Sequence, residues 1–288
     1  MLHWLRTLRS KRDTAGSGIA QDLWLTTLTQ LPFLQTLDAT ELTALRQLAQ
    51  HFLDCKEFHG AAGLVIRDDM ALAIAVQACL PVLALQTPWR GIAWYDDFVG
   101  IVVYPGPVRA RRETVDETGV VHQYDEELTG EAMHNGPVTL SWEDVANAGN
   151  SAQHGYNVVI HEFVHKIDMR DGAADGCPPL PAGFMGAGSA ATARAQWRGT
   201  LHAHFLDFSD QLSLAERFGA PTPWLDAYGA TSLDEFFAVA SEAYFVNRVR
   251  FAADFAGLVP MFDAFFKPRR SEDGLRRSAT DRETGARR

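Results

Sequence analysis

Residues 158–168 read VVIHEFVHKID, and their spacing restricts the local fold more than any other stretch of the chain. Ile160, Phe163, Val164 and Ile167 recur at i, i+3, i+4 and i+7, the signature of a helix with one apolar face. A strand would place both histidines on the face that carries Phe163, so the helical period sorts the residues better. On the helix, His161, His165 and Asp168 share a second face.

Two histidines four apart stand one turn apart, so both imidazoles can reach a single ion. Glu162 lies on the flank of the pair, where it can touch a metal-bound water without occupying a coordination position. This is the HExxH arrangement, in which zinc lowers the pKa of water and the glutamate takes the proton. With ten histidines in 288 residues, the pattern would arise by chance roughly 0.02 times. A polar helix face is therefore the weaker explanation.

A catalytic zinc needs a third protein ligand and an open position. No histidine follows in the HExxHxxGxxH register, and the first glutamate after Glu162 is Glu216. The segment YGATSLDEFFAVASEAYF (228–245) offers Glu235 and, two turns further on, Glu242. Ser232 and Glu235 also form S-x-x-E, so on spacing alone Glu235 could equally cap a helix. Tyr228, an aromatic before a glycine, could simply be packed.

HEFVHKID together with YGATSLDEFFAVASE resembles the Mlc titration factor A family of bacterial zinc peptidases. QACLPVL and IVVYPG upstream are similar too, so the resemblance spans roughly residues 70–266. The Y-G-x-T-x-x-E-F-F-A pattern also resembles the catalytic domain of anthrax lethal factor, a zinc metallopeptidase. The resemblance implies Glu235 as third ligand, with Tyr228 stabilising the transition state. It also implies association with Mlc, a repressor of glucose-uptake genes. A phenol of pKa about 10 stays protonated at neutral pH and can donate to an oxyanion.

Other residues carry weaker signals. His202 and His204 are two apart in a helix, face different directions, and read as structural or surface groups. His154 precedes the motif helix, with substrate contact as its functional reading. Asp168 could orient a ligand or take a solvated or capping role.

Around this centre the pattern is α+β. Asp38 and Glu41 form a capping box for a helix over 35–55, with Leu45, Leu48, Ala49 and Phe52 as its stripe. The run 70–85 contains Gln77 and Pro81, is too short to cross a bilayer, and reads as a buried helix ended by proline. Strands are expected at 98–106, with 108–115 as its partner, and at 136–142; the first is expected to offer an edge for extended peptide. A Gly/Ala/Pro-rich loop over 171–191 reads as a cleft wall, and helices follow at 191–218, 232–247 and 258–266.

The resulting division is a basic, flexible segment at 1–20 and a helical region at 21–90. A zincin-like catalytic domain follows at 91–266, then a disordered basic tail at 267–288. A net charge of −10 argues against direct nucleic-acid binding. Three scattered cysteines show no disulfide framework, and the basic start has no apolar signal core, so a cytoplasmic protein without a membrane anchor is expected. The expected function is aminopeptidase-like hydrolysis of peptides through one Zn2+ per chain, with Glu162 as general base. The alternative is a non-catalytic protein that sequesters the repressor.

Overall fold

The computed structural model describes residues 18–115, 121–128, 130–172 and 174–267. Most of the expected N-terminal segment and the tail beyond Lys267 lie outside them. The first helices are α1 (Gln21–Gln30), α2 (Ala39–Cys55) and, after strand β1 (Glu57–Gly60), α3 (Asp68–Cys79). Asp38 accepts the Thr40 and Glu41 N–H groups while Glu41 accepts the Asp38 N–H, which completes the expected capping box. The helix begins later than 35 because Pro32–Thr36 is a separate 3-10 turn. Every residue of α3 from Met70 to Cys79 is buried, and the helix stops just before Pro81.

The strands that follow are β2 (Gly100–Tyr104), β3 (Val108–Val115), β4 (Val121–Leu128), β5 (Gly130–Ala132) and β6 (Val138–Ser141). Four form one sheet in the order β1-β2-β6-β5, parallel except for the antiparallel β5. This corrects two expectations. Strand 108–115 pairs with β4 in a hairpin of its own, with Val108 opposite Leu128, rather than with β2. β2 is interior, held on both sides, so it offers no edge; the antiparallel edge is β5.

The remaining helices are α4 (Trp142–Ser151), α5 (Val158–Asp168), α6 (Ala190–Phe218), α7 (Leu233–Val246), α8 (Arg248–Asp254) and α9 (Val259–Phe266). α5 is the predicted helix, and its Phe163 ring packs against Phe52, Tyr95 and Phe98 at centroid distances of 5.6, 5.0 and 5.9 Å. α7 is anchored separately, Phe237 lying 5.5 Å from Trp197 and 5.9 Å from Phe262. Each such aromatic pair contributes about 0.5–1.5 kcal/mol beyond its buried area. The two helices that carry the candidate residues are thus fixed by different aromatic clusters and packed against each other.

A fully buried lysine ties α5 to the sheet. Lys166 Nζ lies 2.7 Å from Asp97 Oδ2, donates to the Met133 carbonyl at 3.0 Å, and sits 4.5 Å from the Phe98 ring centre. Met133 directly follows β5, so this contact holds the edge strand against the helix. No helix among the described residues is long and apolar enough to cross a membrane.

Candidate metal centre

Asn157 caps α5, its side-chain oxygen accepting the Ile160 N–H at 2.9 Å. From that start the helix places His161 and His165 one turn apart, both nearly buried, facing α7. α7 begins at Ser232, whose hydroxyl accepts the Glu235 N–H at 3.4 Å. The Glu235 carboxylate does not close a capping box. It turns instead to the histidines.

Three atoms meet there. His161 Nε2, His165 Nε2 and Glu235 Oε2 are separated by 3.1, 3.1 and 3.2 Å. A tetrahedral ion with bonds of about 2.0–2.1 Å separates its ligand atoms by roughly 3.3 Å, so the triangle has the size that zinc requires. Hydrogen bonds alone do not account for it: however protons are placed on the two Nε2 atoms, at least one of the three contacts sets like against like. Among the described residues this is the one cluster of three or more His, Cys, Asp or Glu side chains with metal-binding spacing. The residues present fit a divalent metal.

Glu242 meets His161 from outside the triangle. It is buried two turns beyond Glu235, and its Oε1 lies 2.7 Å from His161 Nδ1. Its Oε2 accepts the Asn157 N–H, while Asn157 Nδ2 donates to Gln77 Oε1 at 2.7 Å. A buried polar chain therefore runs from Gln77 on α3 through Asn157 and Glu242 to His161. With Nδ1 engaged by a carboxylate, Nε2 is the ring nitrogen turned toward the triangle.

The electrostatics follow from burial among carboxylates. Desolvation acts to lower the His161 pKa, but Glu242, Glu235 and Glu162 outweigh it and hold the pKa well above the ordinary value. Desolvation acts to raise Glu235, yet hydrogen bonds from both histidines hold its carboxyl well below the usual range. Burial pushes Glu162 up to about 7, against the pull of the two histidines. A carboxyl near neutrality suits proton transfer at working pH.

Glu162 lines a cavity of about 630 Å³ with the three converging residues, Tyr228 and the β5 backbone. It makes no side-chain hydrogen bond to a described residue. Gly130 backs directly on to it: a Cβ there would come within 2.7 Å of Glu162 Cγ. The edge strand can approach this carboxyl because that position carries no side chain. Tyr228, in the 3-10 turn Ala227–Ala230, donates its hydroxyl to Glu235 Oε1 at 3.3 Å and is partly exposed in the cavity.

Asp168 takes no part in orienting the histidines. It is fully buried, and its Oδ2 accepts the Gly176 N–H at 2.8 Å, which ties the 171–191 loop to α5. That loop does reach the cavity, through Ala174. His154 and His202 are exposed and His204 is half-buried, all three outside the cavity lining; His204 packs near Phe255. Sequence reasoning missed Gly130 and Glu131, because a three-residue strand carries no periodic signal. It weighed Glu242 only as a competing ligand, although the seven-residue step from Glu235 already put both on one helix face.

Comparisons with known proteins place the chain in a family. Residues 5–267 match the family described as glucose-regulated metallo-peptidase M90. Over 264 residues the chain is 34% identical to Mlc titration factor A of Klebsiella pneumoniae subsp. pneumoniae, covering 90% of this chain and 92% of that protein. Over 256 residues it is 33% identical to Mlc titration factor A of Salmonella typhimurium, covering 88% and 89%. The likeness therefore extends well upstream of residue 70.

Proposed function

The chain belongs to the glucose-regulated M90 metallo-peptidase family, and from that premise we propose that it is a zinc peptidase of aminopeptidase type. The observation that carries this reading is the triangle of His161 Nε2, His165 Nε2 and Glu235 Oε2 beside the buried Glu162 carboxyl. These three residues would hold one Zn2+ per chain. When bound, the ion supplies the Lewis acidity that lowers the pKa of water and polarises a scissile carbonyl.

The protein's own groups do the rest. Glu162, buried and without a competing hydrogen bond from a described residue, takes the proton of the attacking water as its oxygen bonds to the carbonyl carbon. It then passes that proton to the amine nitrogen as the C–N bond breaks. Tyr228 donates its phenolic hydrogen to the oxygen that becomes negative. Extended substrate pairs with the side of β5 away from β6, where no described strand lies, and β5 forms one wall of the cavity.

Zinc analysis together with a peptide assay tests the reading. Purified protein holds about one zinc and cleaves peptides, and Glu162→Gln keeps the zinc and loses the cleavage. A zinc-loaded wild type inert toward free and blocked peptides would overturn it.

A second activity has its own support in the relatives, which are called Mlc titration factor A. We propose that this chain also binds that repressor, through a surface larger than the cavity.

A further inference from the structure

From Met70 to Cys79, α3 is apolar with one exception, Gln77, the first residue of QACLPVL. Its side chain is fully buried. Burying an amide is costly unless it is hydrogen-bonded, and a bonded pair stabilises a core little more than apolar groups of the same shape would. Stability alone therefore gives no reason for an amide here. What an amide adds is direction.

Two backbone groups fix the polarity of the link that Gln77 makes. Gln77 Nε2 donates at 2.9 Å to the Ala73 carbonyl, which can only accept, so Oε1 is turned to Asn157. The Ile160 N–H, which can only donate, takes Asn157 Oδ1 at 2.9 Å, so Nδ2 is turned to Gln77, 2.7 Å away. Asn157 is held at a third point by its backbone N–H, which it gives to Glu242 Oε2. The other oxygen of that carboxylate meets His161 Nδ1 at 2.7 Å. Gln77, Asn157 and Glu242 are each at most 1% exposed, so bulk water does not stand in for a broken link.

Across the imidazole, His161 Nε2 lies 3.1 Å from both His165 Nε2 and Glu235 Oε2. A carboxylate on the far nitrogen of a ligating histidine sets the angle of the ring, and here that carboxylate is itself steered from α3. We propose that Gln77 is a positioning residue for the metal centre: through Asn157 and Glu242 it holds the His161 ring where Nε2 completes the triangle. This rests on the metal-site reading and adds to it a residue from outside α5 and α7. A tie between α3 and α5 that served folding alone would leave the metal geometry untouched when cut.

The test uses full-length protein and reads metal binding rather than hydrolysis. Gln77→Met keeps the length of the side chain and loses both bonds. Asn157→Ser keeps a capping hydroxyl and loses the amide that Gln77 holds. Zinc affinity by chelator competition should fall by roughly fivefold in each, less than the about 10–100-fold expected when a ligand's direct partner is removed. The visible bands of the Co2+-substituted protein should shift in both variants, because they report ligand geometry. The double variant should bind no more weakly than the worse single one, since both cut the same link. Gln77→Glu is the rescue. Buried and protonated, its hydroxyl donates to the Ala73 carbonyl and its other oxygen accepts from Asn157 Nδ2, so zinc affinity should stay within about twofold of wild type.

Wild-type zinc affinity and cobalt bands in both Gln77→Met and Asn157→Ser, whatever happens to the unfolding midpoint, would overturn the proposal. Losses that multiply in the double variant would overturn the path through Asn157. Should Gln77→Met fail to fold, Asn157→Ser decides by the same two readings, and wild-type values there overturn the proposal. A wild-type protein that binds neither zinc nor cobalt would overturn the metal-site reading and this inference with it, whereas bound metal with indifferent variants overturns the inference alone.

Discussion

Glu242 Oε1 lies 2.7 Å from His161 Nδ1, with both groups buried. The contact fixes which ring nitrogen faces the Glu235 carboxylate, and a second oxygen of the same carboxyl accepts the Asn157 N–H that opens the helix. One glutamate therefore sets both the tautomer and the position of the histidine. Glu242→Gln cannot reproduce this, because its amide places an N–H against either the Asn157 N–H or the His161 Nδ1–H. Zinc affinity should fall by about 10–100-fold, as expected when a histidine's outer partner is lost. Thermal stability should fall as well, by about 1–3 kcal/mol for a buried donor left unpaired. A chelator competition and a denaturation curve measure the two effects; unchanged zinc affinity would remove the positioning role.

Metal stoichiometry tests the ligand set directly. His161→Ala, His165→Ala and Glu235→Ala each delete one corner of the triangle and should largely abolish zinc retention. Asp168→Asn should not, because that carboxyl is turned toward the Gly176 N–H. Full zinc content in both histidine variants would sink the site, and loss in Glu242→Ala without loss in Glu235→Ala would exchange the third ligand.

Chemistry separates from folding at Glu162. Glu162→Gln preserves shape but cannot accept a proton, so zinc and stability persist while hydrolysis falls to near background. Tyr228→Phe should keep zinc and lose on the order of 10²-fold in rate, the size expected for one oxyanion donor. Wild-type turnover in the first variant, or in the second, would remove the corresponding role.

The helix of this site was legible because its signal is local. Ile160, Phe163, Val164 and Ile167 repeat at the helical period, and all four are buried in the fold. The cap at Asp38 was equally readable. Ser232 and Glu235 show where local reasoning stops: the hydroxyl caps α7 as the pattern implies, but the carboxylate is drawn away by two histidines some 70 residues upstream. Strand order was less accessible still. Nothing within 98–106 reveals that β1 and β6 cover both its sides, since pairing depends on segments far apart in sequence. Residue type at Glu242 suggested a ligand, and only the packing of α7 on α5 shows it serving His161 from the other nitrogen.

The close approach of β5 makes Gly130 sensitive. A methyl group there would press on the Glu162 side chain, displacing the carboxyl or the strand. Gly130→Ala should lower kcat/KM by at least about tenfold, because small misplacements of a catalytic group are costly, while zinc content stays near one per chain. Lys166 holds the same strand from its far end, so Gly130→Ala should leave the global unfolding midpoint little changed. Full activity in Gly130→Ala would show that the strand tolerates displacement and plays no part in positioning Glu162.

The two proposed activities should separate. A specific protein interface usually buries about 800 Å² on each partner, far more than the lining of this cavity can supply. Glu162 lines the cavity and is 5% exposed, so a docked repressor would gain little contact with it. Zinc-loaded Glu162→Gln should therefore bind Mlc within about twofold of wild type by titration calorimetry, while its peptidase activity is lost. Loss of binding in this folded variant would mean that Mlc enters the cavity as a substrate does, and the two activities would then be one.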